Sequence, residues 1–143
     1  MSKEIRSFSG QYRFLSNFWP SPVILDGHSY RTVEHAYQAS KTLSHTWRGI
    51  IRAAATPGDA KRLGYQLSVR LDYFADPNRK IVTMRSLLRQ KFATEPLRGQ
   101  LLATGKAHLT EGNDWGDTYW GVFKGSGSNH LGRLLMEIRD ELR

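Results

Sequence analysis

Val23-Ile24-Leu25-Asp26-Gly27-His28-Ser29-Tyr30-Arg31-Thr32-Val33-Glu34-His35-Ala36-Tyr37-Gln38-Ala39 changes its structural signal within a single short stretch. Val23-Ile24-Leu25 is a β-favouring run, and Asp26-Gly27 supplies the turn residues of a tight hairpin before His28-Ser29-Tyr30. The chain is expected to be extended over 22–31, and again over 11–15. Thr32 then offers a capping hydroxyl to a helix that begins near Val33. The spacing predicts a helix over 33–48, with Val33, Ala36, Tyr37, Leu43 and Trp47 on its apolar side and Ser40 interrupting that side.

Working outward, Thr56-Pro57-Gly58-Asp59 opens another helix, with Thr as cap and Pro at the first helical position. Gly64 is placed to end it. Asp76-Pro77 opens a third, in which Ile81, Met84, Leu88 and Phe92 share one face. Pro96 to Leu102 predicts a short fourth, and His108-Leu109-Thr110 a strand. Residues 112–130, rich in Gly, Asp, Asn and Ser, read as a long functional loop. Leu131, Leu134, Leu135, Ile138 and Leu142 make the apolar stripe of a closing helix. Strands and helices do not alternate regularly, which argues against a doubly wound parallel sheet. The expected fold class is α+β: a mostly helical single domain over residues 1–143 with a small antiparallel sheet.

A chain of 143 residues, 39% hydrophobic and 24% charged, is long and apolar enough to bury a core and is not of disordered composition. It contains no cysteine, which excludes a disulfide framework, a thiolate nucleophile and a cysteine zinc site. The polar N-terminus predicts no signal peptide, and no stretch approaches the roughly 18 apolar residues of a membrane span. The expected setting is the cytoplasm, without membrane association. A net charge of +8 draws anions such as phosphorylated metabolites, nucleic acid or acidic surfaces, without choosing among them.

Three constellations carry chemistry. Glu34, Gln38 and Lys41 fall at i, i+4 and i+7 on one helical stripe. They are either a solvated ion-pair face or a carboxylate, an amide and an ammonium lining a cleft. The first-turn position of Glu34 favours its ionised form through the helix dipole. Glu111-Gly112-Asn113-Asp114-Trp115-Gly116-Asp117-Thr118-Tyr119-Trp120-Gly121 packs acids and aromatics among glycines. Its rings either plug the core or make a stacking platform for a flat base beside a carboxylate. Lys124-Gly125-Ser126-Gly127-Ser128-Asn129 runs into the last helix and offers either a flexible cap or backbone N–H groups for a phosphate. It matches neither a Rossmann fingerprint nor a P-loop. The histidines form no metal-ligand pair, and His35 reads as structural. No metal or cofactor is called for.

Several blocks together resemble the NADAR, or YbiA-like, family. They are Phe14-Leu15-Ser16-Asn17-Phe18, Tyr30 through Ala39 with Lys41, Ala60-Lys61-Arg62-Leu63-Gly64, Met84 with Lys91-Phe92, and Leu101 through Gly105. Trp115 through Gly121 and Asn129 through Met136 complete the set, so the resemblance runs through nearly the whole chain in order. It implies an N-glycosidase acting on ribose phosphates, either phosphorylated riboflavin-pathway intermediates or ADP-ribosyl conjugates, including ADP-ribosylated guanine. It maps Glu34 to the catalytic glutamate, and Asp117 and Trp120 to the acid and aromatic of the tryptophan-bordered block. Many members carry Trp after Arg-x-Asp, where this chain has Arg70-Leu71-Asp72-Tyr73. The smaller, hydroxylated ring bears on which base is accepted.

Cleavage of a ribosyl C–N bond passes through a cation-like sugar. Glu34 is the candidate to stabilise that cation and orient water, and Asp117 the candidate partner, as acid or ribose anchor. Lys41 and the helix start at Asn129 are expected to hold phosphate. Phe18, Trp19, Tyr73 and Trp120, with Gly121 in the same block, are expected to enclose the base. Asn17 and Gln38 complete the substrate contacts. The partner is a phosphorylated ribosyl small molecule or an ADP-ribosyl conjugate, including ADP-ribosylated nucleic acid. The rival readings are a nucleic-acid-binding module and a non-catalytic ADP-ribose-binding module.

Overall fold

The computed structural model describes residues 3–67 and 76–143. In chain order the elements are β1 (Glu4–Ile5), a 3-10 helix (Gly10–Leu15), β2 (Val23–Leu25), β3 (His28–Tyr30), α1 (Val33–Ser40), α2 (His45–Arg52) and α3 (Pro57–Tyr65). Then come α4 (Arg79–Lys91), α5 (Leu97–Ala103), β4 (His108–Leu109), β5 (Gly112–Asn113), β6 (Val122–Phe123) and α6 (His130–Glu141). The fold is a mixed α+β one. The chain divides into two compact units, Asn17–Lys91 and Met1–Ser16 with Phe92–Arg143.

In the unit Asn17–Lys91, β2 and β3 form the expected hairpin, with Val23 opposite Tyr30 and Leu25 opposite His28. Asp26 and Gly27 both take positive φ, 49° and 83°, the backbone that a two-residue hairpin turn requires. Gln90 of α4 satisfies the open side of β2, its Oε1 accepting from Ile24 N at 2.7 Å and its Nε2 donating to Ile24 O at 2.9 Å. That amide does for the strand edge what a further strand would do.

α1 opens as expected, Thr32 Oγ1 accepting from His35 N at 3.1 Å. All eight of its residues are buried, among the hairpin and helices α2, α3 and α4. The single helix expected over 33–48 is instead two. Thr42 Oγ1 accepts from Ser44 N at 3.1 Å, and Ser44 Oγ accepts from Trp47 N at 3.2 Å. Local side-chain bonds of this kind compete with helix continuation and restart the next one. Leu43, expected on the apolar side, therefore lies in the connection and is 65% exposed. Arg48 ties α2 back, donating to Thr42 O at 2.8 Å and pairing with Asp26 at 2.6 Å. Thr56 caps α3 by accepting from Asp59 N at 3.0 Å. On α4, Met84, Leu87 and Leu88 are buried.

In the other unit, residues 10–15 form a 3-10 helix where extended chain was expected. Phe14 and Leu15 are neighbours and both buried; a strand would send them to opposite faces. β1 pairs parallel with β4, Ile5 opposite Leu109, and β5 pairs parallel with β6. Of the three sheets among the described residues, only the hairpin is antiparallel. α6 buries Leu131, Leu134, Leu135 and Ile138 as the stripe predicted, and Leu142 stands just past its end.

Candidate active site

Glu34 and Gln38 are 7% and 3% exposed. Their stripe is therefore not a solvated face, because α1 is covered on every side. Gln38 Nε2 donates to Glu34 Oε1 at 2.9 Å. The backbone N–H of Glu34 donates to Asn17 O at 3.2 Å, which sets Asn17 at the mouth of α1. Asn17 is also buried, its Nδ2 resting 3.6 Å from Met84 Sδ. Among the described residues, Asn17 Oδ1 and Gln38 Oε1 have no hydrogen-bond partner.

Lys41 follows α1 directly. Its ammonium lies 5.4 Å from the centroid of the Tyr37 ring and 5.6 Å from that of Tyr65, within cation–π range. Burial pulls its pKa below the ordinary lysine value; Glu34 opposes that pull, and Lys80 and Lys61 add to it. The amino group thus lies in a field of two further lysines and one carboxylate. Phe18 is exposed and Trp19 half-buried. Tyr73 lies outside the described residues.

His35 is fully committed to structure. Its Nδ1 is 2.8 Å from Thr32 Oγ1 and its Nε2 is 3.1 Å from Ala54 O. Since a carbonyl only accepts, Nε2 carries a proton; burial lowers the pKa of the ring below the ordinary histidine value, which favours its neutral form.

In the other unit, Asp117 is held by its loop. Its Oδ1 accepts from Tyr119 N at 3.0 Å and Trp120 N at 2.9 Å. Asn113 grips the same loop, its Oδ1 accepting from Asp117 N at 3.0 Å and its Nδ2 donating to Asp117 O at 2.9 Å. Trp120 meets Tyr119 edge to face at 4.8 Å between centroids, and Tyr119 lies 4.6 Å from the His130 ring. Gly121 has a packing reason: a Cβ there would run into Glu111 O and Asn113 Nδ2.

The helix start at Asn129 is not open to an anion in the way its composition suggested. Asn129 Oδ1 accepts from Glu111 N at 2.9 Å, and its Nδ2 donates to Leu109 O at 2.9 Å. The N–H groups of Asn129, His130 and Leu131 donate to the carbonyls of Gly121, Tyr119 and Trp120. The donors that an open helix N-terminus would turn toward phosphate are already bonded to the tryptophan-bordered loop.

Lys80 and Tyr65 stand in no sequence motif, and Lys61 and Gly64 carry no site role in the sequence reading. Tyr65 lies against the Lys41 ammonium, Lys61 and Lys80 add positive charge to its field, and Gly64 abuts Gln38. Only Gly64 carries a local signal, a glycine in a helical run. The lysines and Tyr65 reach Lys41 through the packing of α1 with α3 and α4.

Residues 6–143 match the model of the NADAR domain family. The N-glycosidase YbiA of Shigella flexneri serotype 5b is 41% identical over 138 residues, which is 95% of this chain and 85% of that protein. A riboflavin biosynthesis protein of Vibrio vulnificus is 37% identical over 134 residues, covering 91% of this chain but 35% of the larger protein. The NMR structure of the Escherichia coli protein YbiA superposes with a TM-score of 0.84 at 38% identity, covering 99% of this chain and 86% of that one. The chain belongs to the NADAR family. It is an N-glycosidase, an enzyme that hydrolyses N-glycosidic bonds.

Proposed function

We propose that the chain hydrolyses the C–N bond between a phosphorylated ribose and a base-like nitrogen, with Glu34 as the carboxylate that works on the sugar. The observation that carries this reading is a buried carboxylate bonded to the Gln38 amide, with an ammonium close enough to feel its charge. As the C–N bond breaks, positive charge grows on the anomeric carbon. A fixed, ionised Glu34 stabilises that charge without reorganising, and it orients the water that completes hydrolysis. Lys41, backed by Lys61 and Lys80, holds the phosphate. Phe18 and Trp19 offer apolar surface to the base. Asn17 contributes to the substrate contacts. Asp117 is the second carboxylate, with one oxygen committed to its turn.

The substrates we propose are phosphoribosyl intermediates of the riboflavin-pathway kind, a reading supported by the name of the Vibrio vulnificus relative. ADP-ribosyl conjugates, including ADP-ribosylated guanine in nucleic acid, are the second class. The continuous family match over 6–143 supports one functional domain, and the cytoplasm is the proposed setting. Among the described residues no helix is long and apolar enough to cross a membrane.

The test offers phosphoribosylamine intermediates, NAD, ADP-ribose adducts and ADP-ribosyl-guanine DNA, and follows release of a free base. Glu34→Gln should abolish release from the preferred substrate, by about a thousandfold or more, with an unchanged circular dichroism spectrum. Full turnover by Glu34→Gln rejects the assignment. Tight binding with no release by the wild type would favour an ADP-ribose-binding module. Salt-sensitive DNA binding with no release from any substrate would favour a nucleic-acid-binding module.

A further inference from the structure

Gly64 lies inside α3, not at its end; the helix runs through Tyr65 and Gln66 is its C-cap. Its backbone is helical, so no left-handed conformation calls for glycine there. Glycine inside a helix is less favourable than alanine. The reason for it lies across the α1–α3 contact. A Cβ built on Gly64 would collide with Gln38 Oε1 and come within 2.6 Å of Gln38 Cδ. The nearest atoms all belong to that one side chain. Gly64 is therefore a notch shaped for the Gln38 amide.

The notch seats the amide, and the carboxylate decides which way it faces. With Oε1 against Gly64, Nε2 points at Glu34 Oε1. The reversed amide would set oxygen against oxygen, which is tolerable only with a protonated acid. Gln38 Oε1 is buried and has no hydrogen-bond partner among the described residues, so packing against Gly64 holds the side chain in place while the bond to the carboxylate orients the amide. We propose that Gly64 is a positioning residue for the reaction: it seats the Gln38 amide so that Glu34 is held in place and ionised. The proposal rests on the catalytic reading of Glu34 for its consequence in turnover, but not for its consequence in titration.

The experiment is a double-mutant cycle of Gly64→Ala, Gln38→Ala and the pair, read by ¹³C NMR titration of the Glu34 side-chain carboxyl and by the pH profile of kcat. In Gly64→Ala the side chain of Gln38 must swing out. Glu34 should then titrate at higher pH than in the wild type, because its carboxylate loses a hydrogen-bond donor, and the acidic limb of kcat should move with it. At neutral pH kcat should fall about tenfold with little change in KM. Gln38→Ala should shift the Glu34 titration in the same direction, and the pair no more than either alone, because one contact is removed by two routes. If Gly64→Ala fails to fold but the pair folds, the notch is shown to serve that amide. Failure of both to fold, additive shifts in the pair, or a wild-type titration in Gly64→Ala overturns the proposal. Turnover by Glu34→Gln judges the catalytic reading separately, since the titration needs no substrate.

Discussion

Glu34 and Asp117 are both held by hydrogen bonds, but by different kinds of partner. Glu34 accepts from another side chain, Gln38, on a buried helix whose backbone is complete without either residue. Asp117 accepts from two backbone N–H groups, and its own backbone is gripped by Asn113, so its carboxylate is part of what shapes the loop. Polar side chains that bond each other inside a helix contribute little to the backbone and are costly to bury; an arrangement of that kind points to chemistry. Polar side chains that bond the backbone build structure first. Substitutions on α1 should accordingly change turnover at constant fold, whereas those in the loop mix the two effects.

Asp117→Asn separates that mixture. The amide oxygen can still accept from Tyr119 and Trp120, so the turn persists while the charge is gone. We expect thermal stability close to wild type and turnover down by about a hundredfold, measured by unfolding and by base release. Asp117→Ala should lose both. Full turnover in Asp117→Asn would mean that the loop acid only builds, and the contrast with Glu34 would become complete.

Lys41→Ala should raise KM for phosphorylated substrates by about tenfold to a hundredfold, with a smaller effect on dephosphorylated ones. The wild-type pH dependence adds a sign. The folded pKa of Lys41 lies below the ordinary lysine value of 10.5, so its charge is lost earlier than that of an exposed lysine as pH rises. KM for the phosphorylated substrate should therefore climb on the alkaline side before 10.5, and that climb should vanish in Lys41→Ala. Persistence of the climb in the variant would remove Lys41 from the phosphate site.

The hairpin, the caps at Thr32 and Thr56 and the stripe of the last helix were legible because each rests on neighbours in sequence. Asp26-Gly27 and Thr32 act within a few residues of themselves. The break at Ser44 was not legible, since Val33 to Trp47 still carries a helical apolar period and the competing hydroxyl bonds are weak signals. The pairing of β1 with β4 brings Ile5 to Leu109 and leaves no local trace. In the site, Glu34, Gln38 and Lys41 were legible through one helical spacing. Their burial was not, because it comes from three other helices and a hairpin. The bonding of Asn129 was not legible for the same reason: its amide partners, Leu109 and Glu111, are distant in sequence.

That same network gives the next effect in size. Asn129→Ala removes both amide bonds at once and leaves Glu111 N and Leu109 O to find other partners. The loss should be on the order of 2–3 kcal/mol in unfolding free energy. Denaturant unfolding checks it, and a change well under 1 kcal/mol would mean that the loop does not depend on this anchor.

The smallest effect belongs to His35, which contrasts with Glu34 beside it: His35 is a titratable group tied to the backbone of its surroundings, whereas Glu34 is the group proposed for chemistry. The folded pKa of His35 lies below its ordinary value of 6.5, chiefly through burial. Above 6.5 the ring is neutral whether folded or unfolded, and its contribution to stability is constant. As pH falls below 6.5 the unfolded chain takes up a proton that the folded one refuses, so this contribution is lost with acidification. In His35→Gln, which lacks that titration, the slope of stability against pH just below 6.5 should be shallower than in the wild type. Identical slopes would mean that the ring accepts its proton without disturbing Thr32 and Ala54, and that the cap of α1 does not need a neutral histidine.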